Sequence, residues 1–259
     1  MQSIDAIKPI KIHVLPAGPN PWKPVLILEE LGLPYSLNFI SFEDVKKKPF
    51  TDINPNGRAP AIEDPNTDLT LWESGAIIQY IISQYDTNHI LSYPSYALKE
   101  THLCNQWLAF QISGQGPYFG QAAWFNVLHP EKLPSAIARY NAELKRILSV
   151  LDGALEGRQW LVGDKMTFAD LAFTVWNDRI EDLILCEKEK KFEGFPNVQA
   201  WHERMTSRPA WKKAMEKREK LMDEHGLLPN GMPKGFKSHG EFHASVEAKR
   251  KAEAAEVKE

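Results

Sequence analysis

Apolar and polar positions keep two different rhythms along this chain, and the change comes near residue 86. Ile10 to Leu15 alternates as a strand does. Gly18 and three prolines between Pro16 and Pro21 break that run. Trp22 to Leu31 is apolar at helical spacing and stops at Gly32, a natural C-terminal stop. Pro34 to Ile40 reads as a second strand, so strand, helix and strand form one parallel crossover unit. Phe42 to Phe50 is a short lysine-rich helix or turn. Ala59 to Glu63 and Leu69 to Trp72 are short strands around an Asp64-Pro65-Asn66 turn. Ser74 to Tyr85 is a helix with Ile77, Ile78, Ile81 and Ile82 on one broad face. The order β-α-β-α-β-β-α has the size of a thioredoxin unit.

Asp86 to Ala97 reads as a linker, and beyond it the strand signals vanish. Helical patterns run over Leu98 to Phe110, Ser135 to Leu155, Phe168 to Leu185 and Val198 to His225. The expected organisation is an α/β thioredoxin-like domain over 1–87, an all-α domain over 98–225, and a polar tail over 226–259, loop-like over Pro229 to Gly235 and with nothing that could pack a core over His239 to Glu259. Thr167 and Asp170 have the spacing of a capping box, flanked by Met166 and Leu171 as a staple. Asp170 is therefore read as a folding element, not a catalytic acid.

Composition narrows the function. The chain is 43% hydrophobic and 25% charged, with a formal net charge of -3, which gives no electrostatic reason to bind nucleic acid or an anionic membrane. No window approaches the ~18 apolar residues of a membrane-spanning helix, and Met1 to Ala6 is no secretory signal. The two cysteines, Cys104 and Cys186, lie far apart in apolar helical surroundings and read as reduced core thiols of a cytoplasmic protein. His13 and His129 show no metal-ligand spacing, so no metal is expected.

One constellation stands out. Asn54-Pro55-Asn56-Gly57-Arg58-Ala59-Pro60-Ala61-Ile62 is followed by Glu73-Ser74-Gly75-Ala76-Ile77 at the head of a helix. A proline turn holding the backbone open can pair with an extended peptide. A helix N-terminus offers a hydroxyl and free N–H groups to a carboxylate. Together they suit a short peptide with a free carboxylate.

These two runs are similar to the glutathione-binding motif of the glutathione S-transferases. Trp160 to Lys165 with Ala169-Asp170-Leu171-Ala172 resembles that family's helical-domain capping motif. Trp107 to Pro117 narrows the resemblance to the subgroup named after the yeast nitrogen-regulation prion protein. The likeness runs over about residues 8–220. It implies glutathione as co-substrate and a homodimer. It also implies a cis Ala59–Pro60 bond, a minority state at about 5–6% of X-Pro bonds, which turns the Ala59 backbone toward the ligand's cysteinyl unit.

By the same resemblance Ser74 would hold the γ-glutamyl carboxylate, and Glu73 the ligand's ammonium group. Arg58 would hold a carboxylate or orient Glu73. One of Lys46, Lys47 and Lys48, with Lys47 as the candidate, would meet the glycine carboxylate. Here the chain departs from the subgroup: its proline, Pro49, falls one place late, and Val45 stands where the subgroup has a histidine.

A free thiol near pKa 8.5 is mostly protonated at neutral pH, and lowering it by about two units takes roughly 2.7 kcal/mol. The loop Leu15 to Lys23, at the mouth of the first helix, contains no Tyr, Ser or Cys. Asn20 aligns with the subgroup's asparagine and is the candidate thiolate donor through its amide N–H₂. Lys23 could add positive potential. A hydrophobic acceptor would sit between the halves, against Trp107, Phe110, Gln111, Phe119, Trp124 and Trp176, with Tyr118 and Phe125 as further candidates. The implied activity is attack of the glutathione thiolate on an apolar electrophile or peroxide. Disulfide reduction or isomerisation, a biosynthetic tailoring step, and non-catalytic regulation are the alternatives.

Overall fold

The structure is a computed structural model and describes residues 6–228, 231–236, 240–242, 244, 245 and 248. Its sheet has four strands, β1 (Ile10–Val14), β2 (Tyr35–Phe39), β3 (Ala61–Asp64) and β4 (Leu69–Trp72), in the spatial order β2-β1-β3-β4. β1 runs parallel to β2 and antiparallel to β3, with Ile12 opposite both Leu37 and Ile62. The alternation of β1 puts Ile10, Ile12 and Val14 wholly inside. A parallel neighbour requires a crossover, and α1 (Trp22–Leu31) supplies it. It ends at Gly32, which takes the left-handed conformation that a Cβ would resist. α3 (Ser74–Tyr85) packs beside α1 and closes the α/β half.

The Phe42–Phe50 segment is a turn, and the short α2 spans Phe50–Ile53. β3 starts two residues later than the alternation suggests, directly after the cis Ala59–Pro60 bond. The Lys48–Pro49 bond is also cis, which no signal in the sequence indicated.

The second half is all-helical. α4 (Leu98–Phe110) runs without a stop into a π-helical turn, Gln111–Gln115, then α5 (Gly116–Ala123) and a second π-helical turn, Trp124–Leu128. Pro117 has no N–H to continue the ladder, and the ladder slips by one residue just before it, Gly116 N–H donating to Gln111 O. After α6 (Pro134–Ala154) the remaining two sequence-read helices are each divided. Phe168 to Leu185 becomes α7 (Phe168–Asn177) and α8 (Ile180–Ile184). Val198 to His225 becomes α9 (Pro196–Thr206) and α10 (Pro209–Glu224), parted where Pro209 forces Arg208 out of the helical region.

The capping box is present. Thr167 accepts from the Ala169 N–H at 3.3 Å, and the Thr167 N–H donates to Asp170 Oδ2 at 2.9 Å. Asp170 Oδ1 also accepts from the Leu161 N–H and from Trp201 Nε1, so this buried carboxylate ties three elements together.

α10 clamps the two halves. Arg208 grips Glu30 with paired bonds of 2.6 and 2.7 Å. Lys213 and Lys217 converge on Glu29, which is almost wholly buried.

Two expectations fail here. Cys104 is a buried core thiol, pushed up to about 11 by burial, but Cys186 is not. It follows left-handed Leu185 beyond α8 and is only half-buried. The tail packs over part of its length, including Phe242 of the stretch read as unable to pack. Leu227 pairs with Pro233, Met232 is buried, and Phe242 meets Phe236 and Phe42 edge-on. At Gly231 a Cβ would lie 2.4 Å from that of Ala17, so only glycine permits this approach. Residues 229, 230, 237–239, 243, 246, 247 and 249–259 of the tail lie outside the described residues.

Candidate active site

Two connected chambers open between the halves, and Gly120, Trp124 and Trp176 border both. The smaller, of about 620 Å³, is polar and lies at the mouth of α1 and α3. Asn54 builds one wall from the inside. Its amide donates to Arg58 O at 2.5 Å, its side-chain oxygen accepts from Asn56 N–H, and its carbonyl accepts from Gly57 N–H. Gly57 has φ 58°, and a Cβ there would lie 2.8 Å from Val45 O. This is what the Asn-Pro-Asn-Gly run does: it holds Arg58, Ala59 and cis Pro60 against the chamber.

Glu73 turns the chain from β4 into α3 with φ 72° and ψ 116°. That conformation costs a non-glycine residue roughly 1–3 kcal/mol and is kept where neighbours enforce it. The N–H groups of the first turn of α3 have no helical acceptor, so they and the buried Ser74 hydroxyl present a positive helix end to the chamber. Gly75 allows Ile112 against the helix start, where a Cβ would clash at 2.1 Å.

Asn20 stands at the turn before α1. Its Oδ1 accepts from the Trp176 indole at 3.0 Å, which leaves the amide N–H₂ for a ligand. Gly116 and Gly120 lie beside the indole, and a Cβ on either would sit 3.6–3.8 Å from it, in ordinary contact.

Lys23, the second residue of α1, is fully buried. Its Nζ donates to Gln111 Oε1 at 2.6 Å and to Ser74 Oγ at 3.3 Å. Gln111 passes the chain on to Gln115, and Gln115 to Asn177, all buried. Burial pulls the Lys23 amine down to about 7, against the opposing attraction of Glu73.

The larger chamber, of about 860 Å³, is lined mainly by apolar groups: Leu15, Phe42, Val127, Leu128, Leu183 and Leu185, with Phe242 and Gly231 of the tail. Cys186 lies in its wall, and Arg179 and Asp182 form an ion pair there at 2.9 Å.

Asn20, Arg58, Ala59, Pro60, Glu73 and Ser74 thus meet around one chamber. Lys46, Lys47 and Lys48 do not line it: Lys46 donates to Asn56 O, Lys48 pairs with Asp52, Lys47 is exposed, and Asn54 and Asn56 occupy that wall. Of the aromatic candidates, Trp124 and Trp176 line both chambers. Trp107 and Phe110 pack on Phe173 in the core, and Phe119 packs on Trp176 from behind. Phe125 stacks on Tyr140, and Tyr118 packs against the same ring. Gln111 is structural support for Lys23. The sequence reading missed Ile112, Gly116, Pro117 and Gly120 of the polar chamber and most of the apolar one. The glycines at 116 and 120, four residues apart, were the available signal, marking a bare helix face.

Comparison with known proteins agrees with this geometry. Residues 9–83 match the family model described as glutathione S-transferase, N-terminal domain, and residues 117–209 match the glutathione S-transferase, C-terminal domain. The chain is 48% identical to the glutathione S-transferase-like protein gedE of Aspergillus terreus, over 76% of this chain and 91% of that one. It superposes with a TM-score of 0.78 on the glutathione transferase URE2P6 of Phanerochaete chrysosporium, solved in complex with oxidized glutathione. That match has 45% identity and covers 83% of this chain and 98% of the other. The transcriptional regulator URE2 of Saccharomyces cerevisiae is 34% identical over 77% of this chain and 65% of its own length. With both family models matched in order across the two halves, the chain belongs to the glutathione S-transferase family, in its Ure2-like subgroup.

Proposed function

We propose that this protein is a glutathione transferase that seats glutathione in the polar chamber and an apolar electrophile in the larger one. The observation that carries the reading is the position of Asn20, an oriented amide lining the polar chamber beside the tryptophan that borders both. The γ-glutamyl carboxylate would lie on Ser74 and the open N–H groups of α3, its ammonium group toward Glu73, and its cysteinyl backbone along Ala59. Arg58 is placed for a carboxylate, and Asn54 and Asn56 for the glycine end, in place of a lysine.

The sulfur then falls near Asn20, whose amide donates to the thiolate but cannot remove a proton from it. Attack forms a sulfur bond to the electrophile with the electron pair of the thiolate, and the leaving group or the former π bond takes the displaced pair. An asparagine rather than a cysteine at this place leaves no protein thiol for a mixed disulfide there. The wide apolar chamber favours bulky, poorly hydrated acceptors over small polar ones. The homodimer implied by the family is part of the same proposal, and a light-scattering mass checks it.

A panel of apolar electrophiles, peroxides and mixed disulfides, assayed with glutathione, tests the reading. Conjugation of the electrophiles is the expected outcome. Saturable glutathione binding with no turnover of any class would instead make the protein a glutathione-binding regulator.

A further inference from the structure

Lys23 is the one feature of the polar chamber that anion binding at a helix end does not require. Its ammonium group is buried against a hydroxyl and an amide, both neutral. α1 packs on α3, α7 and α10, and each can be asked for a countercharge. The head of α3 offers Glu73, which is exposed. The end of α7 nearest the network offers Asn177, which is neutral. The cations of α10 are turned elsewhere: Lys213 and Lys217 to Glu29, and Arg218 to Pro16 O. Arg58, across the chamber, would only repel it. A lysine so placed is costly to keep charged while the chamber is empty, and burial brings its amine to about 7. A neutral amine still has two N–H donors, enough for both of its bonds.

Glutathione changes this balance. Its γ-glutamyl carboxylate, seated on Ser74, would bring a full negative charge next to the Lys23 amine. Ionisation of its thiol would add a second negative charge to the same chamber.

We propose that Lys23 is a charge-switching residue of the glutathione site, largely or partly neutral when the site is empty and protonated when the γ-glutamyl carboxylate is seated. The inference rests on the glutathione reading above. In the coupled step the thiol S–H bond breaks and its electron pair stays on sulfur. The thiol proton leaves to solvent, and one proton from solvent forms the new N–H bond on the Lys23 amine, so the charge balances and no oxidant or reductant is needed. The site thus accepts the thiolate form with less net charge buried. Lys23 is a positioning residue in this scheme, since it acts on the sulfur through charge and through Ser74.

The test is calorimetry of S-methylglutathione binding in buffers of different ionisation enthalpy. That ligand has the carboxylate but no thiol to ionise, so proton uptake by the protein is read alone. The wild type is expected to take up a large fraction of one proton per site, roughly three-quarters at pH 7.5. Lys23→Met is expected to take up none. Lys23→Arg keeps its charge at all accessible pH values and is also expected to take up none. With glutathione itself, the thiolate absorbance at 240 nm should fall about tenfold at pH 7 in Lys23→Met.

Saturable binding with no uptake by the wild type from pH 6.5 to 8.5 would overturn the switch and leave the glutathione reading standing. Equal uptake in the variants would also overturn it. A lysine that is only a strut predicts zero uptake throughout. If Lys23→Met does not fold, the wild type and Lys23→Arg still decide the matter. Failure of S-methylglutathione and glutathione to bind at all would overturn the glutathione reading, and this inference with it.

Discussion

The two chambers that meet beside Asn20 are built by opposite means. The polar one takes two of its walls from short, continuous runs, Asn54 to Pro60 and Glu73-Ser74, each shaped by its own backbone. The apolar one gathers single side chains from the loop after β1, the turn after β2, the end of α5, α8 and the tail. A ligand common to a family suits the first design, because backbone N–H groups and a cis-proline edge depend little on side-chain exchange. A variable acceptor suits the second, because each wall residue can change without disturbing another's backbone. Binding and selectivity should therefore respond to different substitutions.

The largest separation is expected at Ser74. Its hydroxyl is both the proposed carboxylate ligand and a partner of Lys23. Ser74→Ala should weaken glutathione binding about thirtyfold, near 2 kcal/mol for a charge-assisted hydrogen bond. The KM of the acceptor should stay put. Calorimetry and steady-state kinetics measure the two separately, and a change confined to the acceptor would reverse the assignment of the chambers.

Asn20 comes next, at the boundary. Removing its amide should lower kcat about tenfold, roughly 1.4 kcal/mol of lost thiolate stabilisation, with both KM values little changed. Trp176→Phe keeps the ring but removes the N–H that orients Asn20. It should cost about threefold in kcat, and nothing further when Asn20 is already Ala. Additive losses in the double variant would show that Trp176 acts on the acceptor alone.

The same contrast explains what the sequence could and could not disclose. α1, β4 and α3 were legible to the residue, because Gly32, the Asp64-Pro65-Asn66 turn and the Glu73-Ser74 head are local stop and start signals. The polar chamber inherits that legibility. Elements were misjudged where tertiary packing overruled periodicity. The apolar spacing of 168–185 and 198–225 continues through their breaks, while the chain itself turns at Asp178 and at Arg208-Pro209. Seven pocket candidates were taken from aromatics at helical spacing, but Trp107, Phe110 and Phe119 satisfy the core first. Nothing local tells a core face from a pocket face in a helix that is apolar on both. In the tail, Gly231 looked like loop because the residue it approaches, Ala17, lies more than two hundred residues earlier.

That tail gives the third test. Deleting residues 227–259 removes Phe242 and Gly231 from the apolar wall. The expected result is an acceptor KM raised about fivefold, near 1 kcal/mol of lost apolar contact, with the glutathione KM unchanged. The melting temperature should also fall, since the buried Met232 and the Phe242 ring contacts are lost. An unchanged acceptor profile would remove the tail from the selective half.

The smallest expected effect bears on what the polar chamber costs the fold. Lys23 lies at about 7 in the folded chain against 10.5 for an ordinary lysine. Between those values the unfolded chain holds a proton that the folded chain gives up, so this group's effect on stability worsens as pH falls from about 10.5 to about 7. Below that range both states are protonated and the penalty is constant. Lys23→Met has no such group, and a buried charge exchanged for an apolar chain of similar length is often tolerated or stabilising. Its melting temperature should therefore gain on the wild type by about 3–5 °C between pH 9 and pH 7, and no further toward pH 6. Saturating glutathione should close part of that gap by supplying the missing countercharge to the wild type alone. A gap that does not move with pH would mean that Lys23 keeps its proton in the empty chamber, and that the polar half of the cleft carries no stability cost of this kind.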